Sequence, residues 1–114
     1  MRENNLLARM ITTQVIDIHK GEPARRIPVE LDFFIVGQGW REVGHSVTGQ
    51  DGRIGEFGEA PGEGVYRLMY DIASYMPHSF FPSISVTVES RAANEDHHVI
   101  LQISPFGYSV CRAG

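Results

Sequence analysis

Cysteine is almost absent from this chain. Cys111 stands alone among 114 residues, so no internal disulfide can close and nothing in the cysteine usage calls for an oxidising compartment. Long apolar runs are missing too. No stretch approaches the ~20 apolar residues of a membrane span, and Met1-Arg2-Glu3-Asn4-Asn5-Leu6-Leu7 carries no apolar run of signal-peptide length. The expected compartment is the cytoplasm. Basic residues cluster only at Arg25-Arg26, and the formal net charge is −4. The chain therefore lacks the electrostatic footprint of a nucleic-acid or anionic-membrane partner. Internal repeats and low-complexity tracts are also missing, and a single unit accounts for the chain.

What is present is an apolar content of 42%, enough for a chain of this size to bury roughly two thirds of its unfolded surface in one core. We read residues 1–8 as a polar, flexible N-terminus and 9–114 as one domain. Short alternating runs separated by Gly-rich turns are the pattern of an antiparallel sandwich. Strands are expected near 10–18, 27–36, 40–48, 52–57, 64–71, 83–90, 97–104 and 107–112. Val29, Leu31 and Phe33 alternate with Glu30 and Asp32, and Ile84, Val86 and Val88 alternate with Ser85, Thr87 and Glu89, so each run has one dry face. The one helical candidate is Asp71 to Met76, capped by Asp71 and stopped by Pro77. The glycine-rich stretch from Gly55 to Gly64 reads as a mobile, solvated loop, and Tyr75, Phe80 and Phe81 as core.

The last nineteen residues carry the functional signal. From His98 the side chains alternate, with Val99, Leu101 and Ile103 on the core face and His98, Ile100 and Gln102 on the other. Ser104-Pro105-Phe106-Gly107 turns the chain, and Tyr108 to Arg112 returns as an antiparallel strand. An imidazole, an amide, a hydroxyl and a thiol (His98, Gln102, Ser109, Cys111) thus gather on a face that is not core. His97 and His98 point to opposite faces and cannot share one metal ion, and His19, His45 and His78 show no ligand spacing. No metal site is expected.

The run His98-x-Ile100 into Ser104-Pro105-Phe106-Gly107-Tyr108-Ser109 closely resembles the C-terminal signature of the 5-hydroxyisourate hydrolase and transthyretin family. Ile11-Thr12-Thr13-Gln14-Val15-Ile16-Asp17 resembles the family's first strand, Gly21-Glu22-Pro23-Ala24 its following turn, Asp51-Gly52-Arg53 its central turn motif, and Tyr66-Arg67-Leu68 through Asp71, Tyr75 and Phe80-Phe81-Pro82 its middle. The resemblance implies an all-β, transthyretin-like antiparallel β-sandwich of two four-stranded sheets with one short helix. It implies a homotetramer, a dimer of dimers, consistent with the apolar Met10, Ile16, Ile18 and Ile100 on outward faces. It also implies a hydrolase that needs no cofactor and opens the ring of 5-hydroxyisourate by attack of water on a ring carbonyl, with two histidines and an arginine converging in a channel between subunits.

Two of those three groups are here, Arg53 and His98. Histidine suits a general base near neutral pH, and a guanidinium can bind an anionic ring or a developing oxyanion. The family's first-strand histidine falls at Gln14, which can hydrogen-bond but not take a proton. At the C-terminus Cys111 stands where the hydrolases have Tyr, Ala113 where they have Gly and Gly114 where they have Ser, with Arg112 kept. We take Arg53, His98 and Gln14 as candidate catalytic positions and Gln102, Ser109, Cys111 and Arg112 as candidate substrate-binding positions. Cys111 reads either as a small space-filling hydrophobe or as a nucleophile beside His98. The enzyme reading includes one retuned to a related ring, such as a tailoring enzyme of a biosynthetic pathway, and two further classes stay open: a small-molecule binding protein on the transthyretin plan, and a subunit or scaffold whose tetramer surface serves another protein.

Overall fold

The computed structural model describes residues 11–92 and 95–113. Nine strands run through them: β1 (Ile11–Asp17), β2 (Glu22–Pro23), β3 (Pro28–Ile35), β4 (Gly39–Val47), β5 (Arg53–Ile54), β6 (Gly64–Asp71), β7 (Ser83–Ser90), β8 (His97–Ser104) and β9 (Gly107–Ala113). One sheet has the order β9–β8–β1–β2, with β5 also paired to β1; the other has the order β4–β3–β6–β7. All pairings are antiparallel except one: β1 runs parallel to β8. Parallel neighbours need a long crossover, and here the whole four-stranded sheet serves as that connection.

The alternation in sequence becomes the alternation in burial. Along β1, Ile11, Thr13, Val15 and Asp17 are buried while Thr12, Gln14 and Ile16 are half-exposed, and Val99, Leu101 and Ile103 of β8 face inward beside them. They pack on Val29, Leu31, Tyr66, Leu68, Tyr70 and Ile84 from the facing sheet, the two-layer core of a sandwich. A polar link also crosses it. Thr13 Oγ1 donates to the Val99 carbonyl at 2.8 Å, so the Tyr70 hydroxyl, 2.7 Å away, must be the donor to Thr13. Burial pushes the Tyr70 pKa far up, which keeps that donor protonated. Asp17, also buried, closes the turn after β1: its Oδ1 accepts the backbone N–H groups of His19 and Lys20, and its Oδ2 accepts the Tyr75 hydroxyl at 2.7 Å.

The sandwich expected from sequence is therefore present, with corrections in detail. The sheets hold five and four strands rather than four and four, because two-residue β2 and β5 both pair with β1. The run expected over 52–57 pairs only at Arg53–Ile54, after which Phe57 turns into the core. The helix expected from Asp71 to Met76 is a turn. Asp71 does cap it, through Ser74 N–H to Oδ1, and the Met76 N–H closes one turn on the Ile72 carbonyl at 2.8 Å, but Pro77 has no N–H with which to extend the ladder. The loop from Gly55 to Gly64, expected to be solvated, is pinned by buried Phe57 and by Gly62, whose N–H and C=O both bond the Tyr66 hydroxyl. Phe80, expected in the core, is 71% exposed; Phe81 packs edge-on against Phe80 and Tyr108. Residues 1–8, expected to be flexible, lie outside the described residues, as does Met10. No helix among the described residues is long and apolar enough to cross a membrane.

Candidate active site

The outer face of the five-stranded sheet gathers the polar residues of β1, β5, β8 and β9, and its layout follows from register. Cross-strand partners project from the same face of a sheet. Parallel pairing sets Thr12 beside His98, Gln14 beside Ile100 and Ile16 beside Gln102. Antiparallel pairing then sets Ala113 beside His98, Cys111 beside Ile100 and Ser109 beside Gln102. Arg53 pairs with Gln14. One row across the sheet therefore reads Arg53, Gln14, Ile100, Cys111; a flanking row reads Thr12, His98, Ala113; the other reads Ile16, Gln102, Ser109.

Arg53 reaches its place through a tight turn. Gly52 takes a positive φ of 77°, its N–H donates to the Gly49 carbonyl, and its carbonyl accepts the Val15 N–H at 2.8 Å. A Cβ on Gly52 would lie 2.5 Å from the Val15 carbonyl oxygen, so both the conformation and the close approach call for glycine. Asp51 completes the turn by accepting the Arg53 N–H at 3.0 Å. The Asp-Gly-Arg motif thus hooks onto β1 directly beside Gln14, leaving the Arg53 side chain exposed on the outer face.

His98 is half-buried on the neighbouring strand. Its Nδ1 lies 2.7 Å from Thr12 Oγ1. Burial holds its pKa below the ordinary histidine value, and the positive charge of Arg53 lowers it further, so the ring is neutral at physiological pH. That electrostatic coupling joins Arg53 and His98 in one site. Gln102 belongs to the same face and accepts the Ser109 hydroxyl at 2.9 Å. Cys111 is exposed on this face, beside Ile100.

Arg112 is the exception among the candidates. It pairs with Val99, an inward-facing residue, so it projects opposite to Cys111, where its Nη2 lies 3.4 Å from a Glu95 carboxylate oxygen. The structure does not bring it to the Arg53 and His98 face, since consecutive strand residues point to opposite sides. His97 is likewise turned away from His98, with Nε2 2.9 Å from Ser90 Oγ. Among the described residues no group of three or more His, Cys, Asp or Glu side chains is arranged to hold a metal ion. Thr12, in contact with His98, was not among the residues expected at the site, although the alternation that turns Gln14 outward turns Thr12 outward as well. A separate groove of about 410 Å³ lies on the other sheet, lined by Pro28, Glu30, His45, Val47, Met69 and Asp71 among others; it shares no residue with this site.

Comparison with known proteins gives a consistent result. The profile of the HIUase/Transthyretin family matches residues 11–113. The chain is 36% identical to the uric acid degradation bifunctional protein of Arabidopsis thaliana, over 90% of this chain and 36% of that protein. It is 36% identical to a probable 5-hydroxyisourate hydrolase of Caenorhabditis elegans, over 90% of this chain and 79% of that protein. Among solved structures, 5-hydroxyisourate hydrolase of Klebsiella pneumoniae superposes with a TM-score of 0.79 at 25% identity, covering 93% of this chain and 99% of that one. Sea bream transthyretin in complex with thyroxine superposes with a TM-score of 0.84 at 22% identity, over 90% and 93% of the two chains, and shares the fold.

Proposed function

Because the chain belongs to the HIUase/Transthyretin family, we propose that it is a hydrolase of the 5-hydroxyisourate hydrolase type, opening the ring of 5-hydroxyisourate in purine degradation or of a related cyclic amide. The observation that carries this reading is a neutral His98 with an unpartnered Nε2, on the face that also presents the Arg53 cation. Substrate binds over the row Arg53, Gln14, Ile100, Cys111. His98 takes a proton from water as the oxygen adds to a ring carbonyl. Arg53 binds the resulting oxyanion through its fixed N–H donors. Collapse then breaks the ring C–N bond, and the departing nitrogen receives the proton held by His98. Gln14 cannot share this traffic; it hydrogen-bonds the ring or the water. Gln102 and Ser109 extend the substrate-binding face beside Cys111, and the chemistry needs no cofactor.

The site works within a homotetramer, a dimer of dimers that covers this face, and the compartment is the cytoplasm. In support of assembly, Ile18 is 51% exposed, and among the described residues β9 is the edge strand of its sheet, a combination that invites cover. A monomer by light scattering at micromolar concentration would remove the intersubunit channel. The second reading is a non-catalytic small-molecule binder on the transthyretin plan, favoured by the neutral amide of Gln14 beside Arg53. One experiment separates the two: freshly generated 5-hydroxyisourate is followed by its absorbance decay with and without the protein. Accelerated decay that disappears in His98→Asn supports the hydrolase. Unchanged decay together with saturable binding of 5-hydroxyisourate supports the binder.

A further inference from the structure

Among the described residues, His98 Nε2 is the one buried side-chain nitrogen or oxygen with no hydrogen-bond partner. The other ring nitrogen, Nδ1, has one, Thr12 Oγ1 at 2.7 Å. A neutral imidazole carries one N–H and one lone pair, so the two nitrogens must play opposite parts. Buried N–H groups left without a partner are rare in folded proteins. The proton therefore belongs on the partnered nitrogen and the lone pair on the unpartnered one. The Arg53 charge also acts on the ring, disfavouring a second proton and keeping the imidazole neutral.

From this geometry we infer that Thr12 is a positioning residue: its hydroxyl oxygen accepts the His98 Nδ1–H, fixes that tautomer, and leaves Nε2 with a free lone pair. Register makes the contact direct, since Thr12 and His98 are cross-strand partners in the one parallel pairing of the sandwich. The Thr12 backbone is held between buried Ile11 and buried Thr13, and its β-branched side chain has few rotamers in which to stray. A hydroxyl suits the task differently from a carboxylate. It orients the ring without adding negative charge, so it does not raise the proton affinity of His98, and the base stays neutral where a carboxylate partner would draw it toward the imidazolium. With glutamine at position 14, the site has no second imidazole to substitute. If His98 carried its proton on Nε2, its one lone pair would sit on Nδ1 and be taken up by the Thr12 hydroxyl.

The tautomer claim stands on geometry, while its kinetic consequence rests on the hydrolase reading, and the test keeps the two apart. Long-range proton–nitrogen correlation spectra of the ¹⁵N-labelled protein, recorded at pH 7.5, report which ring nitrogen of His98 is protonated. We expect Nδ1–H with a bare Nε2, the reverse of the form that free histidine prefers. Thr12→Val removes the acceptor at nearly constant shape; its ring should move toward Nε2–H, and kcat for ring opening should fall about 10–100-fold with KM little changed. Thr12→Ser keeps the hydroxyl and should keep both. A wild-type Nε2–H ring, a Thr12→Val ring that retains Nδ1–H, or a Thr12→Ser ring that loses it would each overturn the inference. Should Thr12→Val fail to fold, the wild-type and Thr12→Ser spectra still decide. If the tautomer responds as expected and the wild type does not open 5-hydroxyisourate, the hydrolase reading fails and the role of Thr12 stands.

Discussion

Gln14→His is the sharpest perturbation of the proposed chemistry, because it restores a titratable group at an outward position of an otherwise buried strand. Thr13 and Val15 on either side are fully buried, so the backbone is fixed and the exchange touches only the half-exposed face; a change of this kind alters stability by about 0.5 kcal/mol or less. Gln14 pairs with Ile100, two residues beyond His98 on the parallel neighbour. A strand spacing of about 4.8 Å and a two-residue rise of about 6.6 Å set the two α-carbons about 8 Å apart, room for a substrate ring or a water between two imidazoles. Arg53, the direct partner of Gln14, disfavours protonation of a new imidazole, which is therefore a base at pH 7.5. A positioned general base contributes about 10²-fold or more, roughly 2.7 kcal/mol at the transition state. The expected result is a rise of that order in kcat/KM for decay of 5-hydroxyisourate, limited by the missing terminal serine. Steady-state absorbance assays on the wild type and the variant, with circular dichroism to confirm the fold, would measure it. A folded Gln14→His protein with unchanged or lower hydroxyisourate turnover would refute the reasoning that residue 14 faces the reacting centre of a weakened hydroxyisourate hydrolase. Loss of turnover on another ring substrate would instead mark a retuned enzyme.

Three further outcomes follow from the same geometry. Arg53→Lys should lose about 10²-fold or more in kcat with the thermal transition unchanged, since an ammonium offers no planar fork to an oxyanion; full activity would reduce Arg53 to a structural role. Gly52→Ala should cost about 1–3 kcal/mol by strain at the positive φ and collision with the Val15 carbonyl, and should lower activity with it by displacing Arg53, as read by denaturant unfolding and the same assay. Tyr70→Phe should cost about 1 kcal/mol in denaturant unfolding through loss of the inter-sheet hydrogen bond to Thr13, while kcat stays near wild type because that bond lies on the core side of the sheet.

The elements that alternate cleanly were legible in the residue order, and those that depend on distant partners were not. Val99, Leu101 and Ile103 could be assigned to the core, and His98 and Gln102 to the opposite face, because a period of two admits only two answers. Asp51-Gly52-Arg53 was legible as a turn only through its resemblance to the family motif, since the strand pattern by itself placed a strand from residue 52. The short helix at Asp71 to Met76 had a good cap and a good stop, but the two stand so close that only one turn fits between them, closed by the Met76 N–H on the Ile72 carbonyl. Phe80 looked like core by composition, but it follows the turn that ends at Ser79 and faces outward. Arg112 was grouped with Cys111 by motif, although strand parity alone separates adjacent residues. Thr12 was missed for the converse reason: its role comes from a partner 86 positions away, and only the parallel register between first and penultimate long strands brings the two together.

The central claim is that a single neutral imidazole, held beside Arg53, supplies the base. The pH dependence of kcat/KM for 5-hydroxyisourate opening tests it most directly. The ordinary histidine pKa is about 6.5, and burial and Arg53 depress that of His98, so the active, unprotonated form persists below that pH. The account predicts activity that is flat from pH 7 upward and falls on acidification with a slope of one, through a midpoint below about 6.5, with the whole profile lost in His98→Asn. A midpoint above the ordinary histidine value, a slope of two, or turnover that survives in His98→Asn would contradict it.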